Sequence, residues 1–231
     1  MKIAIIPARG GSKRIPRKNI RSFAGIPMII YSIKAAQAAQ VFDRIIVSTD
    51  DREIAAVAKE CGAEVPSLRP DVLSDEFSTT IDVMAYEADN LSQIDVTAIC
   101  CIYATAPLID PDDLINGWQT LESSGADYCF SATEYAFPIQ RALFLAQHGG
   151  VSMFNPEHRL TRSQDLEPAY HDAGQFYWGS PSAWREKRSI YSENSRMILL
   201  PHYRVQDIDT EHDWHRAEAM FQVLKMKQDI D

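Results

Sequence analysis

Lys2-Ile3-Ala4-Ile5-Ile6-Pro7 runs straight into Ala8-Arg9-Gly10-Gly11-Ser12-Lys13-Arg14-Ile15-Pro16-Arg17-Lys18-Asn19, and these residues decide how the rest of the chain is read. The first six form a short, proline-bounded apolar run, the pattern of a strand buried on both faces. The stretch that follows, to Gly25, is polar and punctuated by Gly and Pro, so it reads as a loop leaving that strand's C-terminal end. In open α/β sheets this is the end at which ligands bind. Gly10 and Gly11 let backbone N–H groups turn toward an anion without obstruction by a Cβ. Arg9 offers paired hydrogen bonds to phosphate oxygens, and Lys18 adds a mobile point charge. The loop fits neither the Walker pattern nor the Gly-x-Gly-x-x-Gly dinucleotide pattern. A phosphate-binding loop of another kind and a solvated basic surface both remain open from these residues alone.

Beyond the loop, helical and strand patterns alternate. Pro27 opens a helix with an apolar stripe of Met28, Ile29, Tyr31, Ile33 and Ala35. Strands are expected at 44–49, 63–65, 96–103 and 127–132, with a helix following Asp50-Asp51 to about Cys61, stopped by Gly62, and helices at 79–91 and 111–123. This order predicts one α/β domain over 1–231, built on a mostly parallel twisted sheet covered on both faces. The alternation fails over 138–172, a segment mixing Gly, Pro, His and charges that reads as an excursion from the sheet. Strands follow at 174–178, 196–200 and 205–208. Thr210 then starts a last helix, with Glu211 and Asp213 at the positive end of its dipole.

The chain's 231 residues and 45% apolar content suit one domain with a sizeable core. The net charge of −9 argues against a nucleic-acid partner. Its distribution is uneven: residues 1–42 hold eight Lys or Arg and no carboxylate, leaving 15 basic against 32 acidic residues in the remainder. Crowded into a Gly-containing loop, those cations favour a small polyanion. No apolar run is long enough to span a bilayer, and the N-terminal stretch lacks a signal-peptide pattern, so a cytoplasmic protein without a membrane partner is expected. The cysteines (Cys61, Cys100, Cys101 and Cys129) have no zinc-like spacing and read as reduced thiols.

A second candidate site is Asp207-Ile208-Asp209. On a strand, alternation puts both carboxylates on one face with Ile208 toward the core. Two neighbouring carboxylates repel unless a cation joins them, and Mg²⁺ bound by one or two carboxylates plus phosphate oxygens is an ordinary arrangement. The alternative is a strand end followed by a cap from Asp209 or Thr210. His212 and His215, three residues apart on a helix, read as exposed surface, and Trp118, Trp184 and Trp214 as packing residues.

Residues 3–13, Pro16-x-Lys18-Asn19, Ile46-Val47-Ser48-Thr49-Asp50-Asp51, Leu68-Arg69-Pro70 with Leu73-Ser74-Asp75, and Asp207-Ile208-Asp209-Thr210-Glu211 together resemble the CMP-sialic acid synthetase family. The resemblance implies a Rossmann-like nucleotidyltransferase fold, Mg²⁺ dependence (Mn²⁺ substituting), and a homodimer whose protruding element falls in 138–172. It carries CTP binding to Arg9, Ser12, Lys18 and Asn19 with their neighbours Ala8, Gly10 and Gly11, and also to Arg69 and Ser78. Metal binding is carried to Asp207 and Asp209; Arg9, Lys18 and Asp209 would carry the catalysis. Tyr103 stands where the sialic acid enzymes have Gln, and Ala173-Gly174 where they have Asn-Gly. The runs 161–166 and 170–178 instead resemble the pseudaminic acid branch, which makes Tyr103, Arg162, Gln164 and Gln175 candidates for the acceptor, an acidic nine-carbon sugar. Tyr103 with Phe176 or Trp178 would offer it apolar surface. The expected reaction is CMP transfer from CTP to that sugar, with no general base evident. Other nonulosonic acids, a CTP sensor without turnover and a metal-dependent glycosyltransferase are the rivals.

Overall fold

The computed structural model describes residues 1–75 and 77–228. Strand β1 (Lys2–Pro7) lies inside a six-stranded sheet, and Ile3, Ala4, Ile5 and Ile6 have no exposed surface. After β1 come a two-stranded ribbon, β2 (Ser22–Phe23) with β3 (Ile26–Pro27), then α1 (Met28–Ala39), β4 (Arg44–Ser48) and α2 (Arg52–Glu60). Next are α3 (Thr80–Asn90), β5 (Ala98–Ile102), α4 (Pro111–Ser124) and β6 (Tyr128–Glu134). A small ribbon, β7 (Leu143–Leu145) with β8 (Val151–Met153), precedes β9 (Tyr170–Gly179), α5 (Pro181–Arg185), β10 (Ser195–Leu199) and α6 (Glu211–Gln228).

The sheet order is β10-β6-β9-β5-β1-β4. β1 pairs parallel with β4 and β5, and β10 parallel with β6, while β9 runs antiparallel between β5 and β6. Period-two alternation divides the core. Ala4, Ile6, Cys100, Ile102, Phe176 and Trp178 pack on one face, where α1 and α4 lie together. Ile3, Ile5, Ile99, Cys101 and Tyr177 pack on the other with Trp184, where α3 and α5 meet. Burial of each such aliphatic side chain stabilises by about 1.5–3 kcal/mol. A Cβ on Gly117 of α4 would come within 2.8 Å of Phe176 and Trp178, so this close helix–sheet contact requires glycine.

A third cluster joins the N-terminal loop to the last helix: Ile15, Phe23, Met28, Ile208, Trp214 and Ala217. The Phe23 ring meets Tyr31, Trp214 and Phe221 edge-on at centroid distances of 5.5–5.6 Å. Phe23 is presented by the two-residue turn Ala24-Gly25, whose φ values of 45° and 97° match the doubly left-handed hairpin turn. This packing fixes the basic loop against the segment carrying Asp207 and Asp209.

Helices 79–91 and 111–123 and strand 96–103 form within a residue or two of expectation. Thr79 and Asp82 make a reciprocal capping box at the start of α3. The expected strand 63–65 reduces to a single bridge, Ile46 to Glu64. The expected strand 205–208 does not form. There the backbone is satisfied by side chains: Lys18 Nζ donates to the Ile208 carbonyl at 2.6 Å, and Asp213 accepts from the Asp209 and Thr210 N–H groups. Strand 174–178 is longer than expected and begins at Tyr170, so the excursion ends before 172. Leu145 and Leu160 within that excursion, and Phe137 immediately before it, are each more than 80% exposed.

Candidate active site

The C-terminal ends of β1 and β5 open onto a cavity of about 680 Å³. Arg9, Ser12, Lys13, Arg14, Lys18 and Asn19 of the loop form one wall. Asp207 and Asp209 stand opposite, and Asp75, Ser78, Thr79, Thr80 and Tyr103 complete the lining with Arg69. Five cationic side chains (Arg9, Lys13, Arg14, Lys18 and Arg69) therefore face three carboxylates (Asp75, Asp207 and Asp209), a positive excess in a protein of net charge −9. Such a concave basic surface concentrates an anionic ligand.

Arg9 and Arg69 are held in place by backbone and hydroxyl acceptors. Arg9 donates to the Asp75 carbonyl at 2.8 Å, and its own carbonyl accepts from Asn19 Nδ2 at 2.9 Å. Arg69 is only 5% exposed; its guanidinium reaches the Ser48 carbonyl and Ser74 Oγ, and burial lowers its pKa without removing its charge. Arg17, at φ +57°, sits outside the cavity and bridges Asp51 and Glu53. Asp51 also caps α2 through the Glu53 and Ile54 N–H groups, and the Arg17 guanidinium above all holds its carboxyl down at about 2. This ties the loop to the start of α2.

The carboxylate side is electrostatically tense. Burial, then the Asp209 charge, push the Asp207 carboxyl above its usual range, with Lys18 opposing. Burial lowers the pKa of Lys18, whose ammonium lies 3.6 Å from Asp209 Oδ1, and both aspartates act to raise it. Arg14 reaches the other Asp209 oxygen at 2.7 Å. Among the described residues no three His, Cys, Asp or Glu side chains gather as a full metal-ligand set. Two carboxylates that repel each other beside a polyphosphate-sized basic cavity nevertheless fit a hard cation that takes its remaining ligands from phosphate and water.

Nine of the expected residues line this cavity: Arg9, Ser12, Lys18, Asn19, Arg69, Ser78, Tyr103, Asp207 and Asp209. Others do not. Ala8 is buried in the core. Gly10 donates its N–H to Asp50 Oδ1 at 2.9 Å rather than offering it to a ligand, and its lack of a side chain admits Asp51, which a Cβ would meet at 2.6 Å. Gly11 is exposed and lies outside the lining. Gln175 is buried and donates to the Arg204 carbonyl, outside the cavity lining, at an irregularity of the β6–β9 pairing. Arg162 is an exposed partner of Asp165, and Gln164 is exposed beside it; the excursion carries both away from this cavity in the same chain. Phe176 and Trp178 point to the opposite sheet face, so the aromatic neighbour of Tyr103 is Tyr177, at a centroid distance of 5.3 Å. Sequence reasoning missed Lys13, Arg14, Asp75, Thr79 and Thr80. The first two lay within the basic loop already singled out, and Thr79 stood only as the first residue of an expected helix.

A sequence profile described as Cytidylyltransferase matches residues 3–228. The chain belongs to the cytidylyltransferase family. Among similar proteins, the pseudaminic acid cytidylyltransferase of Campylobacter jejuni is 44% identical over 223 residues, 96% of each chain. N-acylneuraminate cytidylyltransferase A of Danio rerio is 34% identical over 93% of this chain and 49% of its own length. The solved structure of CMP:2-keto-3-deoxy-manno-octonic acid synthetase complexed with CTP superposes with a TM-score of 0.71 at 14% identity. It covers 96% of this chain and 98% of that one, a likeness of fold. The family and the α/β nucleotidyltransferase architecture expected from the motifs are thus borne out. No helix among the described residues is long and apolar enough to cross a membrane.

Proposed function

We propose that this cytidylyltransferase transfers CMP from CTP to pseudaminic acid and releases pyrophosphate. The observation that carries the reading is the 44% identity, over 96% of both chains, to a pseudaminic acid cytidylyltransferase. The cavity geometry is compatible with it. The acceptor's hydroxyl oxygen attacks the α-phosphorus, the bond from that phosphorus to the bridging oxygen breaks, pyrophosphate leaves, and the hydroxyl proton passes to solvent. Arg9, Lys18 and Arg69 balance charge that grows on the departing pyrophosphate, from positions fixed before the substrate arrives. Positioning supplies much of the remainder, because phosphoryl transfer asks little covalent chemistry of the protein. Asp207 and Asp209 would hold Mg²⁺, with Mn²⁺ able to substitute; when bound it neutralises phosphate charge and polarises the α-phosphate. Asn19 and Ser12 keep the loop wall polar where the nucleotide lies.

The same reading takes 1–231 as one domain in a homodimer, with the excursion crossing to the second subunit. Its exposed Leu143, Leu145, Val151, Phe154 and Leu160, with Phe137 just before it, support this, since a monomer rarely leaves so many large apolar side chains in water on one segment. Arg162 would then serve the acceptor carboxylate of the other subunit's cavity. With CTP as donor, the reaction belongs in the cytoplasm. The test is direct: purified protein with CTP, Mg²⁺ and pseudaminic acid forms CMP-sugar and pyrophosphate in equal amounts. No pyrophosphate above the sugar-free control would reject the reading.

A further inference from the structure

Asp207 and Asp209 stand on a stretch that makes no sheet ladder, so their placement has other sources. Downstream, Ile208 is buried among Ile15, Phe23 and Trp214, and Asp213 holds the Asp209 and Thr210 N–H groups. Upstream, the fixed point is Arg204, three residues before Asp207, at the end of the helical turn His202–Arg204. Two different elements grip it. Its carbonyl accepts from Gln175 Nε2 on β9. Its guanidinium donates to both oxygens of Asp113, in the first turn of α4, at 2.5 and 3.3 Å, and lies 3.3 Å from Asp110. Both side chains of the Asp113–Arg204 pair are mostly buried. A two-pronged pair of this kind fixes a geometry, which a mobile surface ion pair does not.

Gln175 is only 3% exposed, and its Oε1 has no hydrogen-bond partner among the described residues, a state that costs stability. An apolar side chain of the same length would remove that cost, so packing does not call for an amide here. The donor to the Arg204 carbonyl does. The main chain of Gln175 meanwhile reaches the opposite wall: its carbonyl accepts at 2.9 Å from the N–H of Tyr103, whose residue lines the cavity. Its own N–H turns to Ser131 Oγ at the break in the β6–β9 pairing. One residue therefore ties the Tyr103 wall to the segment that carries the carboxylates. We propose that Gln175, acting through Arg204 and its Asp113 partner, is a positioning residue for the cation: it fixes the backbone ahead of Asp207 and so sets how the two carboxylates are presented. This rests on the reading of Asp207 and Asp209 as the holders of Mg²⁺. Gln175, Arg204 and Asp113 all lie outside the cavity lining. Residues behind a metal's own ligands change its affinity about 10–100-fold when they are removed.

The test is the affinity of the full chain for CTP without acceptor, measured by titration calorimetry once with Mn²⁺ and once with EDTA, so that the ratio of the two reports the cation. Gln175→Met keeps the length of the side chain and loses the amide. It should weaken CTP binding about tenfold with Mn²⁺ and leave binding in EDTA unchanged. Its Tm without ligand should stay within about 4 °C of wild type, because the unpaired Oε1 leaves together with the donor. Asp113→Leu combined with Arg204→Met replaces the buried pair by apolar groups, an exchange that folds often tolerate, and should show the same loss with Mn²⁺ alone. Should that double variant not fold, Gln175→Met decides. Where wild type binds CTP more tightly with Mn²⁺, unchanged Mn²⁺-dependent binding in either folded variant overturns the proposal and leaves the metal reading standing. Equal weakening with Mn²⁺ and with EDTA also overturns it, since a general loosening of the cavity moves both. A wild type that binds CTP equally well in the two conditions removes the metal reading, and the proposal with it.

Discussion

Asp209→Asn separates the work of the carboxylate pair from its place in the fold. In the structure Asp209 is bridged by the exposed Arg14 at 2.7 Å and approached by Lys18 at 3.6 Å. An exposed pair of this kind is worth about 0–1 kcal/mol. Against that small loss stands a gain, since Asp209 is a like charge that raises the Asp207 carboxyl. The two effects nearly offset, and the backbone contacts from Asp213 to the Asp209 and Thr210 N–H groups survive the substitution. The expected change in stability is therefore within about 1 kcal/mol, or about 2–4 °C in Tm for a chain of this size. Turnover is another matter. Losing one of two carboxylates for the cation removes several kcal/mol of charge stabilisation, and about 3 kcal/mol already corresponds to more than a hundredfold. The assay is pyrophosphate release at saturating CTP and Mg²⁺, beside a thermal melt without ligand. Wild-type turnover in Asp209→Asn would refute the reasoning, as would an activity loss accompanied by a Tm drop of about 10 °C or more.

Lys18→Ala should lose about 2–4 kcal/mol of barrier lowering with CTP. Its melt should fall less, since the unpaired Ile208 carbonyl costs only about 1–3 kcal/mol; normal turnover would return the loop to a solvated surface. Leu145→Glu with Phe154→Glu should leave the fold intact, because both side chains are already exposed, yet convert the proposed dimer to monomer by light scattering. A dimer retained in that variant places the interface elsewhere. Arg17→Met should cost stability at neutral pH that disappears in acid. Asp51 has its folded carboxyl depressed from 3.8 to about 2, so its contribution is present above 3.8 and lost as pH falls toward 2. The Tm gap between wild type and Arg17→Met should narrow over that window, and a gap constant across it would show that the pair does not couple to folding.

The loop after β1 was legible because its signals are local: an apolar run, then glycines and cations in immediate succession. The same holds for α3 and α4, which begin within a residue of the expected 79 and 111. What sequence could not show was set by distant contacts. β9 is inserted antiparallel between β5 and β6, and nothing in its own residues announces the direction. Residues 205–208 have strand composition, yet Lys18, 190 residues away from Ile208, takes the carbonyl that a ladder would have used. Gly10 was read as open to an anion, whereas its N–H belongs to Asp50, 40 residues later. Arg162 and Gln164 illustrate the same limit: their segment leaves the sheet, and their sequence does not show where it leads.

The most direct test of the account is a competition. Equal concentrations of pseudaminic acid and N-acetylneuraminic acid are supplied with CTP and Mg²⁺, and the two CMP-sugars are quantified at early times, when their ratio reports the ratio of kcat/KM. The account predicts that CMP-pseudaminic acid predominates by about a hundredfold or more, the scale expected when a site leaves the wrong sugar's polar groups unpaired. Equal amounts, or an excess of CMP-N-acetylneuraminic acid, would contradict it.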